Sequence, residues 1–405
     1  MTAGEEDADA ALARAIAAES AAPAAGMPIS MVARLAYRNL FHDRLSLIVT
    51  LVGILFSVVL VAVQLGLYIG SERMIAAMLD QSEADLWIIP LGTKSFDDPA
   101  YLNGRERHAA LSTPGVARAE DLVVGFGAWR KPRGGTTAIL VVGSSLQPGS
   151  TVPWNIVEGS LDGLRSPAAV AVDRTYFEDL GITANGAIAE INGNAVTVTT
   201  LTHGIRSFTT LPYVFTTLAR ARSFLDIGRE QASYTLINIA EGAELETVRK
   251  ALGARLPDAE ILTQAEFRKR SLDYWLFQTG AGSALIAGAI LGIIVGIVIV
   301  AQTLYASTKD HLNEFATLRA LGASGSYIDG VILMQALLSA VIGYLLGLTL
   351  SLLIIEAARD TTLVVVMTPA LAAGLFVLTI GMCTLAAISA ILKVTRIDPA
   401  AVFSR

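Results

Sequence analysis

The chain has 405 residues, 53% hydrophobic and only 16% charged, with a net charge of −6. That balance fits an integral membrane protein and excludes nucleic-acid binding, since there is no basic run and no basic-aromatic repeat. A single cysteine, Cys383, excludes any disulfide within the chain and reads as a small buried hydrophobe in an apolar run.

Residues 1–29 are Ala-rich and carry Glu5, Glu6, Asp7 and Asp9. They lack the positive start and apolar centre of a secretory signal, so a flexible cytoplasmic tail is expected. Residues 30–44 predict an amphipathic interfacial helix with Ser30 as its N-cap. Arg34, Arg38 and His42 share one face, and Val32, Ala36 and Leu40 another.

Four apolar runs meet the length of roughly 20 residues needed to cross a hydrocarbon core. They predict spans at 45–69, 280–305, 328–355 and 368–392. Lysine and arginine near the span ends set the orientation. Arg34, Arg38 and Arg44, then Lys309 and Arg319, then Lys393, Arg396 and Arg405 fall on one side, the cytoplasmic one. Both termini are therefore expected inside, with 306–327 and 393–405. The large segment 70–279 and the short loop 356–367 are expected outside. The fold class is an integral membrane protein with four spans in a one-plus-three order and a large mixed α/β domain between the first two.

Within 70–279, alternation and β-branched content predict strands over Ala84–Ile89, Val116–Phe126, Thr136–Val142, Ala168–Val172, Ala187–Leu201, Tyr213–Thr216 and Ser233–Ile239. Asn192-Gly193 marks a tight hairpin. Glu244–Leu256 predicts a helix, and Ile261 continues a β–α–β pattern. Thr263 and Glu266 have capping-box spacing. The expected result is a two-helix stalk, Gly70–Gln81 and a helix from Thr263, that continues the first two spans. Carboxylate pairs such as Asp97-Asp98 fall in an apparent loop and read as solvated.

No acidic or basic residue lies near the middle of a span, unlike the usual ion-coupled transporter. Gly288, Gly292 and Gly296 recur every four residues in the second span, as do Gly343 and Gly347 in the third. Small residues at this spacing let helix backbones approach closely, and a dimer is one use for such faces. There is no Gly-Lys dipeptide, hence no P-loop, and neither a His-Glu-x-x-His nor a Gly-x-Ser-x-Gly motif. His42, His108, His203 and His311 are scattered and read as surface or interface residues, not metal ligands. No catalytic, metal or cofactor site is expected on this chain.

The cytoplasmic segment Lys309–Ala323 predicts a short amphipathic helix, with Leu312, Phe315 and Leu318 at helical spacing and Gly322 placed to end it. Glu314 and Arg319 flank an apolar knob at Phe315, a shape suited to another protein's groove. This stretch resembles the signature of MacB/FtsX-type permeases, the membrane subunits of type VII ABC systems. Asp310-His311-Leu312 and Ala84-Asp85-Leu86-Trp87-Ile88-Ile89-Pro90 are similar to the DevC-like members. Arg396-Ile397-Asp398-Pro399-Ala400 resembles the family's second cytoplasmic motif. Asn313 departs from the basic residue many members carry there.

The resemblance implies an inner-membrane exporter subunit that is not itself an enzyme. Glu314, Phe315, Leu318, Arg319 and Gly322, with Pro399 and Ala400, would contact a cytoplasmic ATPase subunit encoded separately, which holds the ATP and Mg. It further implies a second permease copy, a periplasmic adaptor, an outer-membrane channel and, from the DevC-like features, a lipid or glycolipid cargo. The same topology serves FtsX-like regulators of periplasmic enzymes and lipoprotein-releasing permeases of the LolC/LolE kind. A free-standing membrane receptor, with no ATPase partner, is the reading from outside this class.

Overall fold

The computed structural model describes residues 29–147, 150–310, 317, 325–359 and 361–394. Helix α1 (Ile29–His42) ends at Asp43, whose carboxylate accepts a bond of 3.1 Å from Ser46 N and so caps α2 (Arg44–Asp80). The helix that carries the first span, 45–69, runs on without a break to residue 80. At about 1.5 Å per residue its 37 residues reach roughly 55 Å, well beyond the thickness of a hydrocarbon core. Among the described residues, the other candidate spans lie on the helices Ala281–Asp310, Gly325–Ala357 and Pro369–Val394. Pro369 occupies the first turn of the last, where its missing N–H costs nothing, and Thr368 accepts a bond from Leu371 N.

Two compact units are present. The membrane unit comprises residues 29–59, Gly292–Thr349 and 373–394 of the described chain. Its backbones approach closely where the sequence offers glycine. A methyl group at Gly343 would lie 2.5 Å from Ile54 Cγ2, and one at Gly347 would lie 2.8 Å from Val58 Cβ. A methyl at Gly296 would meet Ser57 Oγ and Met382 Sδ, both at 2.5 Å, while Ser57 Oγ donates to the Gly292 carbonyl at 2.8 Å. These small-residue faces are therefore occupied by spans of the same chain.

The second unit, Leu60–Leu291 with Leu350–Ala372, contains the domain between the first two spans. Its strands are β1 (Leu86–Pro90), β2 (Val116–Arg130), β3 (Thr136–Ser144), β4 (Ile156–Glu158), β5 (Ala169–Asp173), β6 (Ile188–Ile191), β7 (Asn194–Thr202), β8 (Tyr213–Thr217), β9 (Tyr234–Ile239) and β10 (Ala259–Thr263). The order is β10-β1-β9-β2-β3-β8-β5-β7-β4, with β6 against β2 and β7. Strand β1 is antiparallel to both β9 and β10, and β2 is antiparallel to β9. Hence β1–α3–β2 and β9–α4–β10, through helices α3 (Arg105–Leu111) and α4 (Leu245–Arg255), are two interleaved split β–α–β units. Strands β3 to β8 are an insertion between them. The long β2 joins the two parts, pairing with β9 through Leu122 and with β3 from Val123 onward.

Alternation along β1 explains the layering. Leu86 and Ile88 face α3 and α4, packing with Ala110, Val248 and Leu252. Trp87 and Ile89 face the other side, packing with Met78 and Leu79 of α2. Val196 and Val198 are buried while Thr197 and Thr199 are half-buried, the pattern expected of β7. Asn192 (φ 46°) and Gly193 (φ 85°) form the expected hairpin between β6 and β7, both in the left-handed region that such a turn requires.

One sequence expectation fails in the core. Asp98 is exposed, but Asp97 is not solvated: it is 4% exposed and accepts a 2.5 Å bond from Tyr213 Oη. The loop before it folds over Tyr234, whose hydroxyl donates to the Phe96 carbonyl at 3.0 Å, and carries Asp97 inward. Burial raises the Asp97 carboxyl to about 6, with the Tyr213 bond opposing the shift. A carboxyl whose folded pKa exceeds its unfolded value stabilises the fold fully below the unfolded value, near 4, and loses that contribution as pH rises through about 6. Relative to wild type, Asp97→Asn is expected to gain about 1.4 kcal/mol of stability between pH 5 and 7.5, because over that window the wild-type penalty grows only from pH 5 to about 6 and each pKa unit is worth ~1.4 kcal/mol. Paired thermal melts of the full chain at both pH values measure this; equal shifts for the two proteins would refute it.

Candidate functional site: a two-helix stalk under the sheet

The residues expected to contact an ATPase, Glu314, Phe315, Leu318, Arg319, Gly322, Pro399 and Ala400, lie outside the described residues. What the structure does describe is the stalk. Helix α5 (Gln264–Leu272) starts with a complete capping box: Glu266 N donates to Thr263 Oγ1 at 3.2 Å, and Thr263 N to Glu266 Oε2 at 2.9 Å. Its first residue also finishes α2. The Gln264 amide donates to the carbonyls of Leu79 and Ser82, groups that a helix end leaves open. Arg268 binds the outer part of α2 twice, at 3.0 Å to Asp80 and 3.3 Å to Glu72. Between these polar ties sits Phe267, fully buried, with ring centroids 5.6 Å from Trp87 and 5.5 Å from Tyr234. Arg270 fixes the far side, bonding Glu260 at 2.7 Å and the Thr93 carbonyl at 3.3 Å. That bond holds the Glu260 carboxyl below the usual range against the opposing effect of burial.

The second stalk helix does not run on smoothly into the second span, as expected from sequence. Residues Asp273–Gln278 form a π-helical turn, and Gly280 (φ 83°) separates it from α6 (Ala281–Asp310). An extra residue in the turn and a left-handed glycine are both local causes of a helix break. Trp275 in this turn packs on Phe208 at 5.3 Å between ring centroids. Gly288 of α6 is packed within the chain as well: a methyl there would lie 2.6 Å from Gln64 Nε2 of α2.

A third element touches the stalk that sequence reasoning did not identify. The segment between the third and fourth spans crosses α2 at Gly66 and Gly70. Val366 N donates to the Gly66 carbonyl at 3.1 Å, and a methyl at Gly70 would fall 1.7 Å from the Val364 carbonyl oxygen. Two glycines four residues apart were the available signal, the same one used for the other spans.

A family model described as the MacB-like periplasmic core domain matches residues 47–255, just over half of the chain, and one described as the FtsX-like permease C-terminal domain matches residues 286–399. The chain belongs to the MacB/FtsX-type permeases. Membership makes it an ABC-type permease of the inner membrane, from a family that works with an ABC ATPase, and makes the sheet domain its periplasmic, outer domain. Among solved structures, the periplasmic region of MacB from Actinobacillus actinomycetemcomitans is 11% identical, with 49% of this chain and 96% of that one covered and a TM-score of 0.36. The extracellular domain of the noncanonic ABC-type transporter YknZ from Gram-positive bacteria is 14% identical, with 44% and 99% covered and a TM-score of 0.32. No curated protein matches the chain.

Gly70→Ala separates a packed contact from an open helix position. On a free helix face the change would stabilise, by up to about 1 kcal/mol. Against Val364 it is expected to destabilise by about 1–3 kcal/mol through overpacking. A lowered melting temperature, with faster proteolysis between residues 358 and 368, is the expected outcome; a raised melting temperature would remove the contact from consideration.

Proposed function

We propose that this chain is the permease subunit of an ATP-driven exporter that works by mechanotransmission. Two copies would pair in the inner membrane with their termini inside. A separate ATPase, carrying ATP and Mg, would seat on the helix holding Glu314, Phe315, Leu318 and Arg319, with Gly322 setting the turn into the third span and Pro399 and Ala400 adding a second contact. Closure of the ATPase would move the spans, and the stalk would pass that motion to the outer domain. An adaptor and an outer-membrane channel would complete the route for a periplasmic or outer-leaflet substrate of lipid or glycolipid type.

The observation that supports this reading best is α2. It is one helix from Arg44 to Asp80, with no proline and no π turn, and its last turns enter the buried core of the sheet domain through Met78 and Leu79. An uninterrupted hydrogen-bonded helix resists bending, so a displacement at one end reaches the other. The absence of ionisable groups at mid-span fits a protein that moves substrate outside its own helices.

The test is Glu314→Ala in the full complex reconstituted with its ATPase. Membrane insertion and melting temperature should match wild type, because the residue is expected at a docking surface. ATP-dependent transport should fall by about tenfold or more, as for a central contact at an interface. Wild-type transport by this variant would disprove the coupling role.

A further inference from the structure

A cavity of about 350 Å³ opens between the β7–β8 connection and the residues that follow the third span. His203, Arg206, Glu356, Arg359, Leu363 and Val365 are among its walls. Arg206 is the unusual member. It is only 9% exposed; one Nη donates to the Arg359 carbonyl at 2.6 Å, and Nε has no partner among the described residues. Glu356, the acidic group among the described lining residues, is engaged by Arg359 at 3.2 Å. A guanidinium stays charged, and a buried charge with open donors is unfavourable until an anion meets it.

The loop that carries Arg206 is held in place before any ligand arrives. Asp173 accepts bonds from Thr202 Oγ1 at 3.0 Å and from Ile205 N at 2.8 Å. Tyr176 Oη accepts one from Ser207 N at 3.2 Å. Such preorganisation reduces the ordering cost of binding. The opposite wall is apolar and partly open: Leu363 is 52% exposed, and Leu352, Leu353 and Ile354 present exposed apolar side chains at the end of the adjoining span. The site therefore joins a planar cationic fork, suited to bidentate contact with phosphate, to a surface suited to acyl chain.

We propose that this cavity binds the phosphate headgroup of an anionic lipid of the outer leaflet, with Arg206 receiving the phosphate and Leu363 and Val365 lying against the start of the acyl chains. The site goes beyond the export reading. It requires only that the outer domain and this cavity share one side of the membrane, and the lipid can be cargo or resident ligand.

The experiment uses the full chain in mild detergent, titrated with dioctanoyl phosphatidylglycerol, dioctanoyl phosphatidylcholine or inorganic phosphate, with binding read by native mass spectrometry and thermal shift. Phosphatidylglycerol should bind saturably and raise the melting temperature; phosphatidylcholine should not. Inorganic phosphate should bind at least about tenfold more weakly, because it cannot use the apolar wall. Arg206→Gln should weaken phosphatidylglycerol binding by about tenfold or more, the usual effect of losing a charge-assisted bond. Leu363→Ser changes an exposed side chain and should fold normally. It should weaken the lipid severalfold and leave phosphate binding unchanged. Equal binding of the two lipids overturns the proposal, and phosphate binding as tight as the lipid reduces it to a bare anion site. If Arg206→Gln does not fold, Leu363→Ser decides, and wild-type lipid affinity in that variant overturns the lipid assignment. None of these outcomes depends on an ATPase or on transport, so export can fail without this site failing, and the reverse.

Discussion

Burial of Phe267 beneath the sheet is the contact on which the stalk depends. A helix can deliver a displacement only if its far end is fixed, and the fixing here is mainly apolar. Burying a phenyl group contributes about 1.5–3 kcal/mol, and well-placed aromatic neighbours add roughly 0.5–1.5 kcal/mol. Trp87 and Tyr234 supply those neighbours, while Met78 and Leu79 bring the end of α2 into the same cluster. The ion pairs of Arg268 with Glu72 and Asp80 are about one-third exposed or more, and pairs of that kind are typically worth only about 0–1 kcal/mol. Their role is to set register between the two helices; the rings hold them.

The two stalk helices differ in a way that matters for motion. Helix α2 is continuous, whereas α5 meets the second span through a π turn and a glycine. One connection is stiff and the other has a defined joint. Trp275 in that joint packs on Phe208, two residues from Arg206, so the loop bearing this buried guanidinium is in contact with the place where the stalk changes direction. The segment after the third span rests on Gly66 and Gly70 of the stiff helix and also lines the same cavity. Within this unit, stalk, joint and cavity are thus one connected piece of packing.

Much of the local structure could be read directly from residues. The strand alternation at Val196–Thr199, the Asn192-Gly193 turn and the Thr263–Glu266 cap all depend on side chains a few positions apart, and each is present. The order of the strands could not be read, because β9 pairs with β1 and β2 across more than a hundred residues of sequence. The burial of Asp97 is hidden from the sequence for the same kind of reason: its neighbours in sequence are loop residues, while its neighbours in space are Tyr213 and Tyr234. The glycine rows were visible as close-packing faces, but what fills them, Ile54, Ser57, Val58 and Gln64 of the first span, is a matter of how the helices assemble.

Four spans, an intervening α/β domain and an Arg/Lys bias between the two sides follow from the chain alone, since apolar length and charge near a span end act locally on a helix in a bilayer. The interleaved β–α–β topology, the burial of Asp97, the break at Gly280 and the burial of the Arg206 guanidinium were decided only on folding. Each depends on which distant segments exclude water together, and no short window of sequence contains that information.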